Sequence, residues 1–415
     1  MRKEDIQPDM VLEVPKYGTV ISQSTDLGVL DYNPAYIYFY ALTWPGKAHI
    51  TVYGLLEKII LGNQKILQEY HQNPGSGWIL RNIIGADPEI FLVDRNRQLL
   101  PAWIPLKSKT LTPNVYFDGF AAEFTPKPMK CLANFVDEIQ KGLKQIYNAA
   151  ILHDGTLTTQ NVFKIPHKIL EMLPDEYVEL GCEPSYNAYN KPKLLPSGRE
   201  IEWRSAGGHI HFNTAASSTQ EQINQYVKDL DATLGIAGVA LADGLDIAVR
   251  REFYGTAGEY RMPKYGFEYR VLSNFWLIHP AVTHLTLELA RIALSASIRS
   301  LFPIQISDDE VQHIINTNDV TLARENITKH RTVFEEFFKE AFRGGLQTWP
   351  QTDSKLKICS DVAFRMLMEG VLKFTGLDII DNWNLGAFQS KPWKMHSETE
   401  NCNFYSAAQN WSKLA

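Results

Sequence analysis

The chain is poor in cysteine. Its four cysteines, Cys131, Cys182, Cys359 and Cys402, lie far apart across 415 residues, with no two at metal-binding spacing. That pattern indicates neither a zinc ribbon nor a disulfide framework, and the thiols are read as reduced. An excess of positive charge is lacking too. Lys and Arg number 41 against 47 Asp and Glu, for a net charge of −6, which argues against nucleic-acid binding by bulk electrostatics. No run of eighteen apolar residues occurs, so no membrane span is expected. The opening MRKEDIQPDM has no signal-peptide apolar core, and a cytoplasmic location is expected. Internal repeats and low-complexity tracts are absent as well. With 45% hydrophobic residues, a chain of this length can bury a sizeable core without staples.

What is present reads as short strands followed by helices. Val11 to Tyr40 alternates apolar and polar residues between Gly and Pro breaks, while Leu55 to Tyr70 has helical spacing despite Gly62. Residues 1–78 are therefore expected to form an N-terminal addition of short strands and a helix, closed by the loop Asn73 to Gly77. Strands are predicted over 89–94, 115–117, 121–124, 177–181, 200–204, 209–212 and 267–272. Helices are predicted over 132–152 and 219–245, where Thr219 and Gln222 stand at capping-box spacing. A long apolar helix is predicted from Pro280, which suits its first turn. Residues 303–415 read as mostly helical, with 334–342 and 361–374 the clearest pieces. Strand runs and grouped helices imply an α+β fold rather than a doubly wound parallel sheet.

Several same-face pairs carry chemistry. In a strand, residues two apart share a face. Asp87 and Glu89 in Gly85-Ala-Asp-Pro-Glu89 project together, and two close carboxylates repel unless a cation lies between them; hard oxygen donors suit Mg²⁺ or Mn²⁺. Read blandly, they are a turn acid and a solvated strand residue. Glu123 stands alone among small and aromatic neighbours, as a solvated position or a ligand; Asp118-Gly119 ahead of it is a turn signal. His209 and His211 share one strand face behind Gly207 and Gly208, which leave room for a ligand or another backbone. Four arginines, Arg250, Arg251, Arg261 and Arg270, interleave with glycine and tyrosine, and Glu268 shares a face with Arg270. Such arginines suit phosphate or carboxylate; as surface ion pairs they would each be worth only roughly 0–1 kcal/mol. Acids and histidines on one face with arginines at its edge suit phosphoryl transfer from a metal-bound nucleotide.

The ordered series resembles a known family. It comprises Gly85 to Glu89, Asp118-Gly to Glu123, Gly181-Cys-Glu-Pro to Asn187-Ala-Tyr189, Arg204 to His211, Tyr254-Gly to Arg261, and Glu268 to Trp276. It is similar to the phage-type carboxylate–amine ligases, themselves similar to the catalytic domains of glutamine synthetase and glutamate–cysteine ligase. The likeness spans about residues 80 to 300, so 79–302 is expected to be a glutamine-synthetase-like catalytic domain. It implies a curved antiparallel sheet backed by helices, ATP, and two or three Mg²⁺ or Mn²⁺ ions. The reaction it implies activates a carboxylate as an acyl phosphate, which an amine attacks to give an amide.

Carried over by position, Asp87, Glu89, Glu123, His209 and Glu268 are implied metal ligands. Arg270, Arg261 and His209 are the implied catalytic residues: Arg270 would stabilise the transferred phosphoryl group, His209 would lie near it, and Arg261 would hold nucleotide phosphates or the substrate carboxylate. Arg250, Arg251, His211 and Tyr254 are implied to hold the cofactor, and Glu183 a substrate. The sequence departs from glutamine synthetase in opening on Asp-x-Glu and in lacking a recognisable ammonia loop. The expected partners are therefore a small-molecule or peptide carboxylate and an amine other than free ammonia, with no nucleic acid or membrane. Oligomeric state is left open, since glutamine synthetase completes its site across subunits. Two other readings stand beside this one: a metal-dependent hydrolase or oxygenase using His209, His211 and a carboxylate, and a non-catalytic nucleotide-binding relative. Against the first, no acid follows the histidines until Glu221.

Overall fold

The computed structural model describes residues 11–14, 18–22, 37–41, 49–52, 60–61, 84–106, 115–129, 132–178, 185–189, 197–213, 218–298, 302–346 and 353–386. Near the N-terminus, β1 (Val11–Val14), β2 (Gly18–Ser22), β3 (Ile37–Ala41), β4 (His49–Val52) and β5 (Ile60–Leu61) form an antiparallel sheet in the order β4-β3-β2-β1-β5. The helix expected over 55–70 is overturned at Ile60 and Leu61, which pair with Glu13 and Leu12. A short apolar run fits either period, and pairing with β1 decides it. The rest of that stretch, and the loop Asn73 to Gly77, lie outside the described residues.

The sheet that carries the candidate site is also antiparallel. Its strands are β6 (Ile84–Val93), β7 (Leu99–Leu100), β8 (Val115–Asp118), β9 (Ala121–Phe124), β10 (Thr156–Thr158), β12 (Tyr186–Asn187), β14 (Gly208–Asn213), β15 (Glu259–Arg261) and β16 (Gly266–Tyr269). The order is β12-β15-β16-β14-β6-β9-β8, with β7 and β10 pairing the far end of β6. A separate ribbon pairs β11 (Val162–Lys164) with β13 (Trp203–Ser205). One predicted strand is corrected: at 177–181 the chain instead makes the helical turn Asp175–Val178, and residues 179–181 lie outside the described set. Pro174 ahead of two acids is a helix start, with Asp175 and Glu176 at the positive end of the turn.

One face of the main sheet packs on helices. Ile210, Phe212, Phe267, Tyr260 and Tyr269 are buried there in the same core as the helices Leu132–Ile151, Gln220–Leu230 and Pro280–Ile298. The Thr219 hydroxyl accepts from the Gln222 amide while the Gln222 side chain accepts from the Thr219 amide, the reciprocal cap expected from the sequence. That helix runs through a π-helical turn, Asp231–Gly235, into Ile236–Leu241. The helix Pro280–Ile298 is buried on nearly every side, the behaviour of an apolar helix at the centre of a core. The C-terminal helices add to the same core, which extends from Ile84 to Leu385. Trp383 is fully buried and its indole donates to the Leu277 carbonyl at 2.6 Å. The fold is thus α+β, an antiparallel sheet backed by helices. Among the described residues no helix is long and apolar enough to cross a membrane.

Candidate active site

The opposite face of the sheet collects the polar residues, and register explains why. His209 lies across from Asp87, and His211 across from Glu268. Arg261 lies across from Glu268, Glu123 across from Glu89, and Tyr116 across from Glu123. Directly opposed residues share a face, so five adjacent strands and β8 at the edge bring these side chains together. The alternation along β6 shows the sorting: Ala86, Pro88 and Ile90 are buried, while Asp87 and Glu89 are half-buried.

Two groups of ligand atoms result. Asp87, His211 and Glu268 form one, and Glu89, Asp118 and Glu123 the other, the atoms within each lying within 4.8 Å of one another. In the first, His211 Nε2 is 2.9 Å from Asp87, and His209 Nδ1 is 3.3 Å from both Asp87 and Glu268. Asp87 Oδ1, His211 Nε2 and Glu268 Oε1 are buried, and none makes an aligned hydrogen bond. Converging buried donors of this kind fit a divalent cation. In the second, Tyr116 donates to Glu123, and the Gly207 amide donates to Glu89 at 2.7 Å.

The electrostatics of the two groups differ. Burial raises Glu89, the nearby His209 draws it down, and the Asp118 and Asp87 charges raise it again, so that its carboxyl is pushed up to about 7. Glu123 is pushed well above the usual carboxylate range by burial and by the charges of Asp87, Glu89 and Asp118. Asp87 goes the other way: burial would raise it, but the His211 charge and polar contacts from both histidines hold it far below its ordinary value. His211 is raised in turn, because Asp87 and Glu268 outweigh its burial. Crowded oxygens that favour the protonated state are what a bound cation would relieve.

Positive charge borders the first group. Glu268 is fully buried; Arg270 Nε is 3.0 Å from its Oε1, and Arg261 donates to its Oε2 at 2.6 Å. Arg270 also donates to Ser185 Oγ at 2.7 Å. Tyr254 Oη lies 3.0 Å from His209 Nε2, and its ring lies beneath the Arg250 and Arg270 guanidinium groups. The structure thus unites Asp87, Glu89, Glu123, His209, His211, Tyr254, Arg261, Glu268 and Arg270. Arg250 and Arg251 stand apart. Arg250 donates to the Val271 and Leu272 carbonyls at 3.0 and 2.8 Å; Arg251 donates to Gly255, Val271 and Asp246. Both are buried and tie the chain after β16 to the loop before β15. Glu183 lies outside the described residues.

Asp118, which the sequence marks only as a turn, joins Glu89 and Glu123, and His211, which the resemblance implies at the cofactor, lies with Asp87 and Glu268. Asp118 does begin a turn, in which Gly119 has φ 53°, but it shares the face of Tyr116 at the end of β8. Period-two reading of β8 was the signal that could have found it. The glycines ahead of the histidines make room for neighbours, as expected, though for side chains as well as backbone. A Cβ on Gly207 would strike the His209 ring, and one on Gly208 would strike Trp276 and the Ser273 carbonyl.

Residues 187–340 match the model of the phage phiEco32-like COOH.NH2 ligase-type 2 family. The segment carries this ligase family's pattern. It contains His209, His211, Arg261, Glu268 and Arg270, whereas Asp87, Glu89, Asp118 and Glu123 lie upstream and reach the site through β-sheet register. A search of curated proteins finds no match. Among solved structures, the chain is similar to the ligase PafA in its complex with the prokaryotic ubiquitin-like protein Pup. The TM-score there is 0.40 with 12% identity, over 81% of this chain and 77% of that one. A bifunctional glutathione synthetase from Pasteurella multocida gives a TM-score of 0.30 with 11% identity, over 83% of this chain and 54% of that one. Both likenesses are too slight to bear on function. The family match supports a carboxylate–amine ligase in general terms.

Proposed function

We propose that the chain is an ATP-dependent carboxylate–amine ligase that activates a carboxylate as its acyl phosphate and passes the acyl group to an amine. The observation that carries this reading is the meeting, on one sheet face, of two oxygen-rich groups with two arginines anchored on Glu268. Asp87, His211 and Glu268 would hold one Mg²⁺ or Mn²⁺, and Glu89, Asp118 and Glu123 another. Bound there, the ions would neutralise nucleotide phosphates and the charge that develops during transfer. Arg270 is oriented from both sides by Glu268 and Ser185, which suits it to stabilise the transferred phosphoryl group; Arg261, a quarter exposed, is suited to the substrate carboxylate or a terminal phosphate. A preorganised donor of this kind acts without reorganising as charge develops. Arg250 and Arg251 are assigned a supporting role instead of the nucleotide contact implied by the resemblance, because their terminal donors already serve main-chain carbonyls and, for Arg251, the Asp246 carboxylate.

A single-metal hydrolase or oxygenase gains one supporting observation. Asp87 lies beside both His209 and His211, supplying the acid that the stretch between His211 and Glu221 lacks. That reading leaves Glu89, Asp118, Glu123 and both arginines without a task. The two are separated by an ADP-release screen over amino acids, peptides and polyamines, with mass spectrometry of the products. The ligase reading expects ADP only when a divalent cation, a carboxylate and an amine are all present, and transfer of ¹⁸O from the labelled carboxylate into phosphate. One tightly bound iron or zinc, with no ATP turnover, would favour the alternative.

A further inference from the structure

Each site histidine has one ring nitrogen on the acidic group and the other on a tyrosine hydroxyl. His211 presents Nε2 to Asp87 at 2.9 Å, while its Nδ1 is 2.6 Å from Tyr265 Oη and the two rings are stacked with centroids 5.7 Å apart. His209 is wired the opposite way round, with Nδ1 toward Asp87 and Glu268 and Nε2 on Tyr254 Oη. Tyr265 stands just before β16 in the turn that follows β15, where the Gly266 amide bonds the Pro263 carbonyl at 3.1 Å. The turn therefore sets its ring against His211.

We infer that Tyr265 is a positioning residue that fixes which nitrogen of His211 faces the cation group, as Tyr254 does for His209. A neutral imidazole carries a single N–H. For Nε2 to offer its lone pair beside Asp87 and Glu268, the proton must sit on Nδ1, and that N–H needs an acceptor. The Tyr265 hydroxyl oxygen is that acceptor. Without it, the buried Nδ1–H would lose its partner, the ring would be free to flip or to exchange tautomers, and Nε2 would no longer be held toward the acids. Outer partners of this kind typically govern metal affinity by about 10–100-fold. The inference rests on reading Asp87, His211 and Glu268 as a cation site.

The test uses the full chain and Mn²⁺ alone as probe, comparing Tyr265→Phe, His211→Gln and the double variant by titration calorimetry. Tyr265→Phe is expected to weaken Mn²⁺ binding on the order of 10–100-fold and to add nothing further in the His211→Gln background, since it acts through that ring. Unchanged Mn²⁺ affinity in Tyr265→Phe, or an equal loss with and without His211, overturns the inference while leaving the cation site intact. Failure of the unsubstituted chain to bind Mn²⁺ overturns the cation reading and this inference with it. Should Tyr265→Phe not fold, ¹⁵N-histidine spectra of the unsubstituted, Mg²⁺-loaded protein decide: His211 protonated on Nδ1 alone is expected, and protonation on Nε2 alone contradicts it.

Discussion

Glu89 accepts the Gly207 amide, faces Glu123 across the register and has Asp118 beside it. Its carboxyl, pushed up to about 7, holds its proton more tightly in the folded chain than in the unfolded one. The sign of the consequence follows from linkage. The stability contributed by Glu89 is present below the ordinary glutamate range and is lost as pH rises through about 7, while a cation must displace the proton in order to bind. Mn²⁺ affinity is therefore expected to rise with pH through that window and binding to release protons. Calorimetry near pH 6.5, in two buffers of different ionisation heat, checks this; identical heats would contradict it. At the same scale, Asp118→Asn is expected to abolish binding at the Glu89 group and to spare the Asp87 group. Paramagnetic resonance counts of bound Mn²⁺ should then show one class of site lost, and an unchanged count would remove Asp118 from the site.

At the scale of elements, period-two alternation made the pairs Asp87/Glu89, His209/His211 and Glu268/Arg270 legible in the sequence, because side-chain direction in a strand is local. Register is not local. Nothing in β6 or β14 alone says that Asp87 will face His209, and nothing in the arginine-rich stretch says that Arg250 will turn inward. Its partners, the Val271 and Leu272 carbonyls, become neighbours only when the loop folds back. Arg250→Met is accordingly expected to cost several kcal/mol, since hydrogen bonds to charged groups contribute roughly 1.5–3 kcal/mol each. Denaturant unfolding measures the loss, and nucleotide affinity of the protein that still folds should be nearly unchanged. A selective loss of nucleotide binding at native stability would restore Arg250 to the site. Gly207→Ala has the opposite signature. Its methyl would displace the His209 ring, so activity should fall by more than stability does, as thermal unfolding and turnover measured on the same sample would show.

Across the whole molecule, the α+β class and the long buried helix from Pro280 were readable from grouped strand and helix patterns. The N-terminal sheet was readable only in part, because the apolar run around Ile60 fits two periods and its pairing with β1 is a tertiary choice. The acids, histidines and arginines were readable as residue types, although two of the four arginines, Arg250 and Arg251, turn away from the others. The site's assembly was not, since the contributing residues span Asp87 to Arg270 and meet only through five adjacent strands. That assembly, with Glu268 shared by His209, Arg261 and Arg270, is what the proposal of phosphoryl transfer rests on. The most direct measurement is cation-dependent ADP release with a carboxylate and an amine present, in the unsubstituted chain and in Glu89→Ala and Arg270→Ala. The expected result is ADP and amide from the unsubstituted chain and neither product from folded samples of either variant; full activity in both variants would contradict the assignment.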